Sequence, residues 1–205
     1  MRYTPRLRDH GLAHDPFKAI VAPRPIGWIS SLDPEGRLNL APYSFFNAVS
    51  NDPHIVMFSS FGEKDSVKNI EATGEFVCNL TTFDLREEMN ATSAAYPRGV
   101  SEAEEAGLAM EESAVVKPPR VRDAPTALEC RLLKADRLAG LDGQWSGNIV
   151  VFGEVVSIYV DDRFIRDDRF DMAAARTIAR CGYFDYAVVD GLFEIIRPKD
   201  PEVTG

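Results

Sequence analysis

Small, hydroxylic and amide side chains are concentrated between Pro23 and Ser60, in a stretch that could bind a ligand along a sheet edge. Two β-rich runs, 26–32 and 37–44, flank a turn whose proline presets φ and whose glycine ends it, so a hairpin is expected. Pro42 has no N–H and places the second run at an edge or a bulge. Neighbouring backbone groups are then free to face a ligand.

The side chains of this stretch suit a flat ligand with polar edges and an anionic group. Small residues allow backbone and hydroxyl donors to approach such a ligand closely. The candidates are Ser30, Ser31, Ala41, Ser44, Asn47, Ser59 and Ser60. Flavin mononucleotide (FMN) has this combination of properties.

A candidate phosphate site follows at Lys64-Asp65-Ser66, which opens a predicted helix that Gly74 ends. The free N–H groups of the first turn, the Ser66 hydroxyl and the Lys64 charge would converge on one phosphate group. Alternatively, Asp65 and Ser66 only cap the helix. The upstream stretch favours the phosphate.

Four segments together resemble the flavin reductase-like family with the FMN-binding split-barrel fold, in its flavoredoxin-type branch. They are residues 23–46, Asn47-Ala-Val-Ser-Asn-Asp-Pro53, Lys64-Asp-Ser66 and Glu75-Phe-Val-Cys-Asn79. The resemblance covers most of the chain and is looser after Ser101. It implies a mainly β, six- to seven-stranded antiparallel Greek-key split barrel with peripheral helices. It also implies non-covalent FMN, with phosphate contacts from Lys64, Ser66 and serines among Ser30, Ser31, Ser59 and Ser60.

The flavin ring sets further requirements, because reduction places negative charge near N1 and the C2 carbonyl and a donor should face N5. Backbone N–H groups around Ala41, Pro42, Tyr43 and Ser44 are candidates for N5. Asn47 is a candidate for the pyrimidine edge, and Arg24 or Arg180 for the charge. A turn role for Asn47 and a surface ion pair for Arg180 are equally open. Tyr183 either covers the open ring face or closes a barrel end.

Several other chemistries are not indicated. The sequence has no dinucleotide fingerprint, P-loop or nucleophile elbow, and its three histidines are not spaced as metal ligands. Reductases of the shorter branch carry a Gly-Asp-His element whose His meets the nicotinamide, whereas this chain has Gly147-Asn148. A nicotinamide donor is therefore less clearly indicated than a flavin, and no catalytic side chain beyond Arg180 and Tyr183 is proposed.

Composition favours one domain over 1–205, with an arm over 1–18, because no Pro/Gly/Ser-rich linker divides the 205 residues. The net charge of -9 argues against a nucleic acid or anionic membrane as partner. Three cysteines without C-x-x-C spacing suit a reducing compartment. With no signal peptide and no run of about 18 apolar residues, a cytoplasmic protein is expected.

Local patterns predict the remaining elements. Strands are expected at 19–22, 55–60, 76–81, 126–134, 149–160 and around 193–196. Helices are expected from Asp65 or Ser66 to Gly74, from a D-x-x-E cap at Asp84 and Glu87 through Ala95, and over 171–179, with a loop at 180–186.

The run 149–160 is apolar on both faces of the predicted strand. Val150, Phe152, Val156 and Ile158 would face one side, and Ile149, Val151, Val155 and Tyr159 the other. One face fills the barrel, so the other is expected to pair with a second subunit, giving a homodimer with the flavin at the seam.

The function expected from the resemblance is an NAD(P)H-dependent flavin reductase. Reduced FMN would pass electrons to a flavin, a ferric chelate, oxygen or a partner monooxygenase. One alternative is a non-catalytic FMN-binding electron carrier. Another is a haem-binding relative of the barrel, which would need an exposed axial histidine that does not stand out.

Overall fold

A computed structural model describes residues 1–97 and 99–198. The strands in these ranges are β1 Arg24–Pro25, β2 Gly27–Leu32, β3 Leu38–Tyr43, β4 Phe46–Asn51, β5 His54–Phe61, β6 Glu75–Leu80, β7 Met110–Glu111, β8 Arg120–Val121, β9 Thr126–Ala139, β10 Trp145–Val160, β11 Ile165–Arg166, β12 Arg169–Phe170, β13 Ile178–Gly182 and β14 Asp185–Val188. The helices are α1 Phe17–Ile20, α2 Asp65–Thr73, α3 Arg86–Ala91 and α4 Glu102–Glu105, with a 3₁₀ turn at Asp162–Phe164.

Seven antiparallel strands form the main sheet, in the order β3-β2-β6-β9-β10-β5-β4. The predicted hairpin is confirmed, because β2 pairs with β3 up to Leu32 opposite Leu38. As Pro42 predicts, β3 is an edge strand. The chain leaves β5 through α2 and enters β6, on the far side of β9 and β10, which gives the sheet its crossover.

The sheet curls into a barrel because its two edge regions share one core. Tyr43 of β3 packs on Phe58 of β5 with ring centroids 4.6 Å apart, and Phe58 meets Phe76 of β6 edge-on at 5.9 Å. Val67 and Ile70 of α2 are fully buried against this core. Gly74 ends α2 in the left-handed conformation, as predicted. The N-cap is Lys64, not Asp65 or Ser66, and no side chain caps the helix.

A bulge in β10 reverses the two faces of the strand part-way along it. Val155 pairs with Cys130 but Ser157 with Glu129, so Val156 is an extra residue. Before it, Ile149, Val151 and Val155 share one face, as predicted, and that face is the one that fills the core. After it the prediction is wrong, because one inserted residue exchanges the faces. Tyr159 lies on the outer side and Ile158 shares a row with Leu128.

The outer face beyond this bulge is covered by the chain itself. Val156 and Tyr159 pack with Val77 and Val116. The covering segment is held by the buried Glu129 carboxylate, which accepts hydrogen bonds from the N–H groups of residues 114, 115 and 116 at 2.9, 2.6 and 3.1 Å. This half of the face therefore needs no second subunit, contrary to the prediction from its apolar pattern.

A small second sheet, β1-β13-β14, replaces the helix predicted over 171–179 and the loop predicted over 180–186. Turns occupy the start of that region, and Thr177 forms a bridge with Thr82. The β-branched pair Thr177 and Ile178 favours extended backbone, and β1 offers a free edge. Arg24 lies opposite Arg180 in this pairing.

Three further predictions are wrong. Residues 19–22 are not a strand, because α1 runs from Phe17 to Ile20. The D-x-x-E cap does not form, since Asp84 pairs with Arg176 at 3.2 Å and α3 begins at Arg86 without a side-chain cap. The strand expected around 193–196 is absent, and this segment is without regular structure and exposed.

Cys78 and Cys130 are both buried and free. Burial raises the pKa of the Cys78 thiol well above its ordinary value, and neighbouring Cys130 adds to the effect. Among the described residues, no helix is long and apolar enough to cross a membrane.

Candidate functional site

A groove lies on the outer face of the sheet, between β4, β5 and β10 on one side and α1 with β1 on the other. We call it the outer groove, and its volume is about 720 Å³. It is lined by Phe17, Lys18, Ile20, Val21, Ala22, Pro23, Arg24, Pro25, Phe45, Phe46, Asn47, Met57, Ser59, Leu138, Ser146, Asn148 and Val150.

Strand alternation supplies the floor of the outer groove. Asn47, Met57 and Phe152 are paired across β4, β5 and β10, and Ser59 pairs with Val150 in the next outward row. The intervening row, which includes Phe58, fills the core. Ser59 and its strand neighbour Ser60 therefore lie on opposite faces.

Polar groups at the floor are few and held in place. The Asn148 amide donates to the Ser59 hydroxyl at 3.0 Å. The Asn47 side-chain oxygen accepts from the N–H of Ala48 at 2.9 Å, and the residue is exposed. Asn47 thus lies within strand β4 and not in the turn weighed as an alternative. No hydrogen bond of its amide N–H groups is seen among the described residues, so they are available at the groove.

Arg24 is the buried cation of the outer groove, with 8% of its surface exposed. Its guanidinium donates to the carbonyls of Lys18 and Val21 and lies over the Phe45 ring, 5.6 Å from its centroid. Its Nε is buried with no hydrogen-bond partner among the described residues. Burial lowers the pKa of Arg24, and the charge of Arg180 lowers it further.

Four of the predicted cofactor serines do not line the groove. Ser30 donates to the Pro119 carbonyl at 2.6 Å, and Ser31 accepts from the Asn69 amide at 3.4 Å. Ser60 donates to the Gly62 carbonyl at 3.1 Å. Ser66 accepts from the Asn39 amide at 2.8 Å. All four are at most 1% exposed, so they cannot touch a ligand in this conformation.

Side chains in the segment from Ala41 to Ser44 alternate between the core and the surface. Ala41 packs against the core, and Tyr43 is buried there, where desolvation raises the pKa of its phenol. Pro42 and Ser44 instead line a small cavity of about 130 Å³ beside Arg180. None of these four residues lines the outer groove, whose wall continues at Phe45.

Arg180 lies in a second cavity, which we call the Arg180 cavity. It measures about 400 Å³, adjoins the small cavity beside Ser44, and is lined by Phe83, Arg86, Glu87, Met89, Asn90, Ile178, Arg180, Phe184, Tyr186 and Val188. Tyr183 lies in the β13–β14 turn, where its carbonyl accepts from Arg180 and its ring lies 5.7 Å from that of His14. Tyr183 therefore belongs to a turn of the small second sheet, and it lines neither the outer groove nor the Arg180 cavity.

Lys64 is exposed at the start of α2 and does not line the outer groove. The preceding loop lies beside one end of that groove, because the N–H of Gly62 donates to the carbonyl of Gly147 at 2.7 Å. The nearest lining residues there are Ser146 and Asn148. The first turn of α2 carries no side-chain cap, so its N–H groups remain available.

A sequence model of the flavin reductase like domain matches residues 21–171. The chain belongs to the flavin reductase-like family. An uncharacterized protein of Aquifex aeolicus is 37% identical over 188 residues, which are 89% of this chain and 92% of that relative. The matched family region contains the whole main sheet and most of the groove lining.

Solved structures agree with the split-barrel fold. Component B of nitrilotriacetate monooxygenase from Bacillus cereus has a TM-score of 0.85 and 29% identity, over 95% of this chain and 98% of that one. The 2-nitrobenzoate 2-nitroreductase of Pseudomonas fluorescens has a TM-score of 0.85 and 28% identity over all of both chains. Flavoredoxin of Desulfovibrio vulgaris, at 16% identity and a TM-score of 0.73, shares the fold.

Family membership supports a flavin as the cofactor, and the outer groove fits one. Its volume is within the roughly 300–1000 Å³ typical of small-molecule sites, with mainly apolar walls and few polar groups. The buried, unpartnered Nε of Arg24 is a donor that an anionic or carbonyl group would satisfy. These features, not the buried serines, make the groove the candidate flavin site.

The sequence interpretation missed the other wall of the groove. Phe17, Ile20 and Val21 lie in a segment treated as an arm and a strand, and Leu138 lies at the far end of β9. The spacing of Phe17 and Ile20, one helical turn apart, was the available signal. No local signal brings Leu138 to the groove, since only sheet pairing places it there.

Proposed function

We propose that this protein binds FMN in the outer groove and works as an NAD(P)H-dependent flavin reductase. The observation that carries the proposal is the apolar groove beside the buried Arg24, whose Nε has no hydrogen-bond partner among the described residues. Most of the groove lining lies within the region that the family model matches. When bound, the flavin supplies hydride acceptance and onward electron transfer.

The chain's own residues would bind and orient the cofactor. Arg24 places positive potential at one side of the groove, and Asn47 offers amide donors at the floor. The Asn148–Ser59 hydrogen bond fixes a polar point between them. Met57 and Val150 supply apolar contact for a ring and exclude water from it.

The phosphate of FMN would lie at the start of α2. Lys64 supplies a charge there, and the uncapped first turn supplies backbone donors. A single such site favours FMN over a dinucleotide flavin. Extraction of FAD as the main flavin from purified protein would contradict this assignment.

The electrons would leave to a free flavin, a ferric chelate, oxygen or a partner monooxygenase. The neighbour from Bacillus cereus is a component of a monooxygenase, which supports the last of these. The alternative is an electron carrier that holds FMN and does not oxidise nicotinamide. The absence of histidine at Gly147-Asn148 favours that alternative.

Anaerobic stopped-flow mixing of the FMN-loaded protein with NADH and with NADPH separates the two functions. A reductase shows bleaching of the flavin band within seconds with at least one donor. Tight FMN with no bleaching by either donor would establish the carrier. A preparation that takes up no FMN would contradict both.

We also propose a homodimer in which a second copy closes the outer groove. The groove is bordered by exposed apolar side chains, with Phe17 57%, Ile20 70% and Leu138 44% exposed. Pairing two such faces about a two-fold axis would bury both. The three free cysteines fit a reducing, cytoplasmic location for this dimer.

Light scattering should give twice the 22.7 kDa chain mass at micromolar concentration. Met57→Glu, at the groove floor, should lower the dimer fraction and the FMN affinity together. Ile165→Glu is the control, because Ile165 is 42% exposed and does not line the groove. A monomer with normal FMN affinity would contradict the arrangement.

A further inference from the structure

Two arginines lie opposite each other in the small sheet, one at the outer groove and one at the Arg180 cavity. Arg24 and Arg180 are opposite each other in the β1–β13 pairing, and the charge of Arg180 acts on Arg24. Arg24 lines the groove and Arg180 lines the cavity. Two like charges this close, one of them buried, disfavour each other unless an anion compensates them.

The described part of the chain supplies no such anion. No carboxylate of residues 1–97 or 99–198 lies within ion-pair distance of Arg24 or Arg180. Arg180 donates instead to the Tyr186 hydroxyl at 2.5 Å and to the Tyr183 carbonyl, both neutral. In a chain with 32 acidic residues against 23 basic ones, this leaves a positive charge without a carboxylate partner.

The charge balance of the Arg180 cavity fits one anionic group. Its second cation, Arg86, lies beside Glu87 at 3.4 Å, so those two charges offset each other. Arg180 remains as the single uncompensated charge. A guanidinium presents its N–H donors in a planar fork that matches the two oxygens of a carboxylate. The compact ammonium group of a lysine does not match them in this way.

The rest of the cavity is apolar and of small-molecule size. Met89 and Ile178 form a buried floor, each 2% exposed, and Val188 continues it. Phe184 lies at the tip of the β13–β14 turn, 89% exposed, with its ring at the cavity wall. A volume of about 400 Å³ accommodates a single substituted ring rather than a dinucleotide.

We infer that the Arg180 cavity binds a small aromatic carboxylate, with its carboxylate at Arg180 and its ring between the apolar floor and Phe184. The binding of this ligand does not depend on the proposed function. The role of the ligand as electron acceptor of the neighbouring flavin does rest on the proposed function. The similarity to a reductase of 2-nitrobenzoate is consistent with this substrate class. Arg180 also stabilises the β13–β14 turn by donating to the Tyr183 carbonyl. Because that carbonyl is neutral, the positive charge of Arg180 remains uncompensated.

Calorimetric titration of the FMN-loaded protein with 2-nitrobenzoate and with nitrobenzene tests the inference, because the two probes differ only in the carboxylate. We expect 2-nitrobenzoate to bind about 10- to 100-fold more tightly, the range for a charged hydrogen-bonded pair. Arg180→Gln should abolish this preference and leave nitrobenzene binding within twofold. Equal affinity of the two probes for the wild-type protein would overturn the inference, as would an unchanged preference in Arg180→Gln.

Two further variants keep the test decisive. Phe184→Ala changes an exposed side chain, so the fold should survive, and both probes should lose affinity several-fold. If the affinity of Phe184→Ala for both probes is unchanged, the ring does not bind beside Phe184 and the inference is contradicted. Arg163→Gln is the matched control, because Arg163 is exposed, pairs with Asp161 and lines neither cavity.

The FMN dissociation constant, measured by fluorescence quenching, separates this inference from the proposed function. Phe184→Ala should leave it unchanged. If the protein binds no FMN, the proposed function fails, while the same titration on the flavin-free protein still decides the carboxylate site. Inorganic phosphate that displaces 2-nitrobenzoate at equal concentration would assign Arg180 to a phosphate and overturn the aromatic ligand.

Discussion

Ser59 and Ser60 are neighbours in one strand, yet they belong to different parts of the molecule. Ser59 lies at the floor of the outer groove, where it accepts from Asn148. Ser60 is fully buried and donates to the Gly62 carbonyl. The same division separates Lys64, which is exposed, from Ser66, which is buried and bonded to Asn39.

This contrast shows that one family motif contains two kinds of polar residue. The inner set, Ser30, Ser31, Ser60 and Ser66, bonds with Asn39, Asn69, Asn79 or backbone carbonyls inside the barrel. The outer set, Arg24, Asn47, Ser59 and Asn148, borders the groove. We expect substitutions in the inner set to change folding stability, and those in the outer set to change flavin affinity.

The largest effect should come from Asn79→Ala, which removes a partner of Ser30 in the inner set. Asn79 is 1% exposed, donates to the Trp28 carbonyl at 2.9 Å and accepts from the N–H of Val121 at 2.8 Å. Removing it takes away both buried hydrogen bonds, which should cost about 2–4 kcal/mol in the free energy of unfolding. Urea denaturation measures this cost. Asn148→Ala, in the outer set, is the control. Equal losses of stability in the two variants would contradict the distinction between the inner and outer sets.

Lys64→Ala should weaken FMN binding by about 1–3 kcal/mol, the range for a charge-assisted hydrogen bond, with little change in the stability of the flavin-free protein. Ser66→Ala, two residues later, should do the reverse, because its hydroxyl bonds to Asn39 and not to the groove. Flavin titration and thermal unfolding of both variants measure the two effects. A destabilised Lys64→Ala with normal FMN affinity would show that Lys64 is structural.

The smallest effect concerns the pH dependence of stability near the inner set. Glu102 accepts from the N–H of Leu40 at 3.0 Å, and burial raises the pKa of its carboxyl in the folded protein. Folding therefore takes up a proton between the unfolded value of about 4.5 and the higher folded value. The free energy of unfolding falls as pH rises through that interval.

Glu102→Gln should remove this fall, so the stability difference between variant and wild type should shift in favour of the variant from pH 4 to pH 7. Glu105→Gln, on the exposed side of the same helix, is the control. Urea midpoints at several pH values measure the slope. Parallel pH profiles for the wild type and Glu102→Gln would contradict the assignment.

Much of the barrel could be predicted from local patterns. The hairpin around Gly36, the edge position of Pro42 and the helix end at Gly74 follow from turn and cap chemistry acting within a few residues. The small sheet could not be predicted, because β13 is stabilised by pairing with β1, about 150 residues away in the chain.

The candidate site was predicted less completely than the fold. Arg24, Asn47 and Ser59 do line the groove, whereas their motif neighbours turn inward. Which face a serine occupies depends on the strand register, which a motif does not record. Arg180 was singled out for its charge, but its place in a separate cavity depends on the unforeseen hairpin.

The bulge at Val156 makes this strand tolerant of the loss of one residue. The extra residue is absorbed at the bulge, and beyond it Ser157 and Tyr159 pair with Glu129 and Ala127 in regular register. Deleting the Val156 codon would therefore restore a regular strand and leave the faces of the residues beyond it unchanged. Natural relatives should accordingly lose a residue at Val156 more readily than within the regular pairing of 149–155.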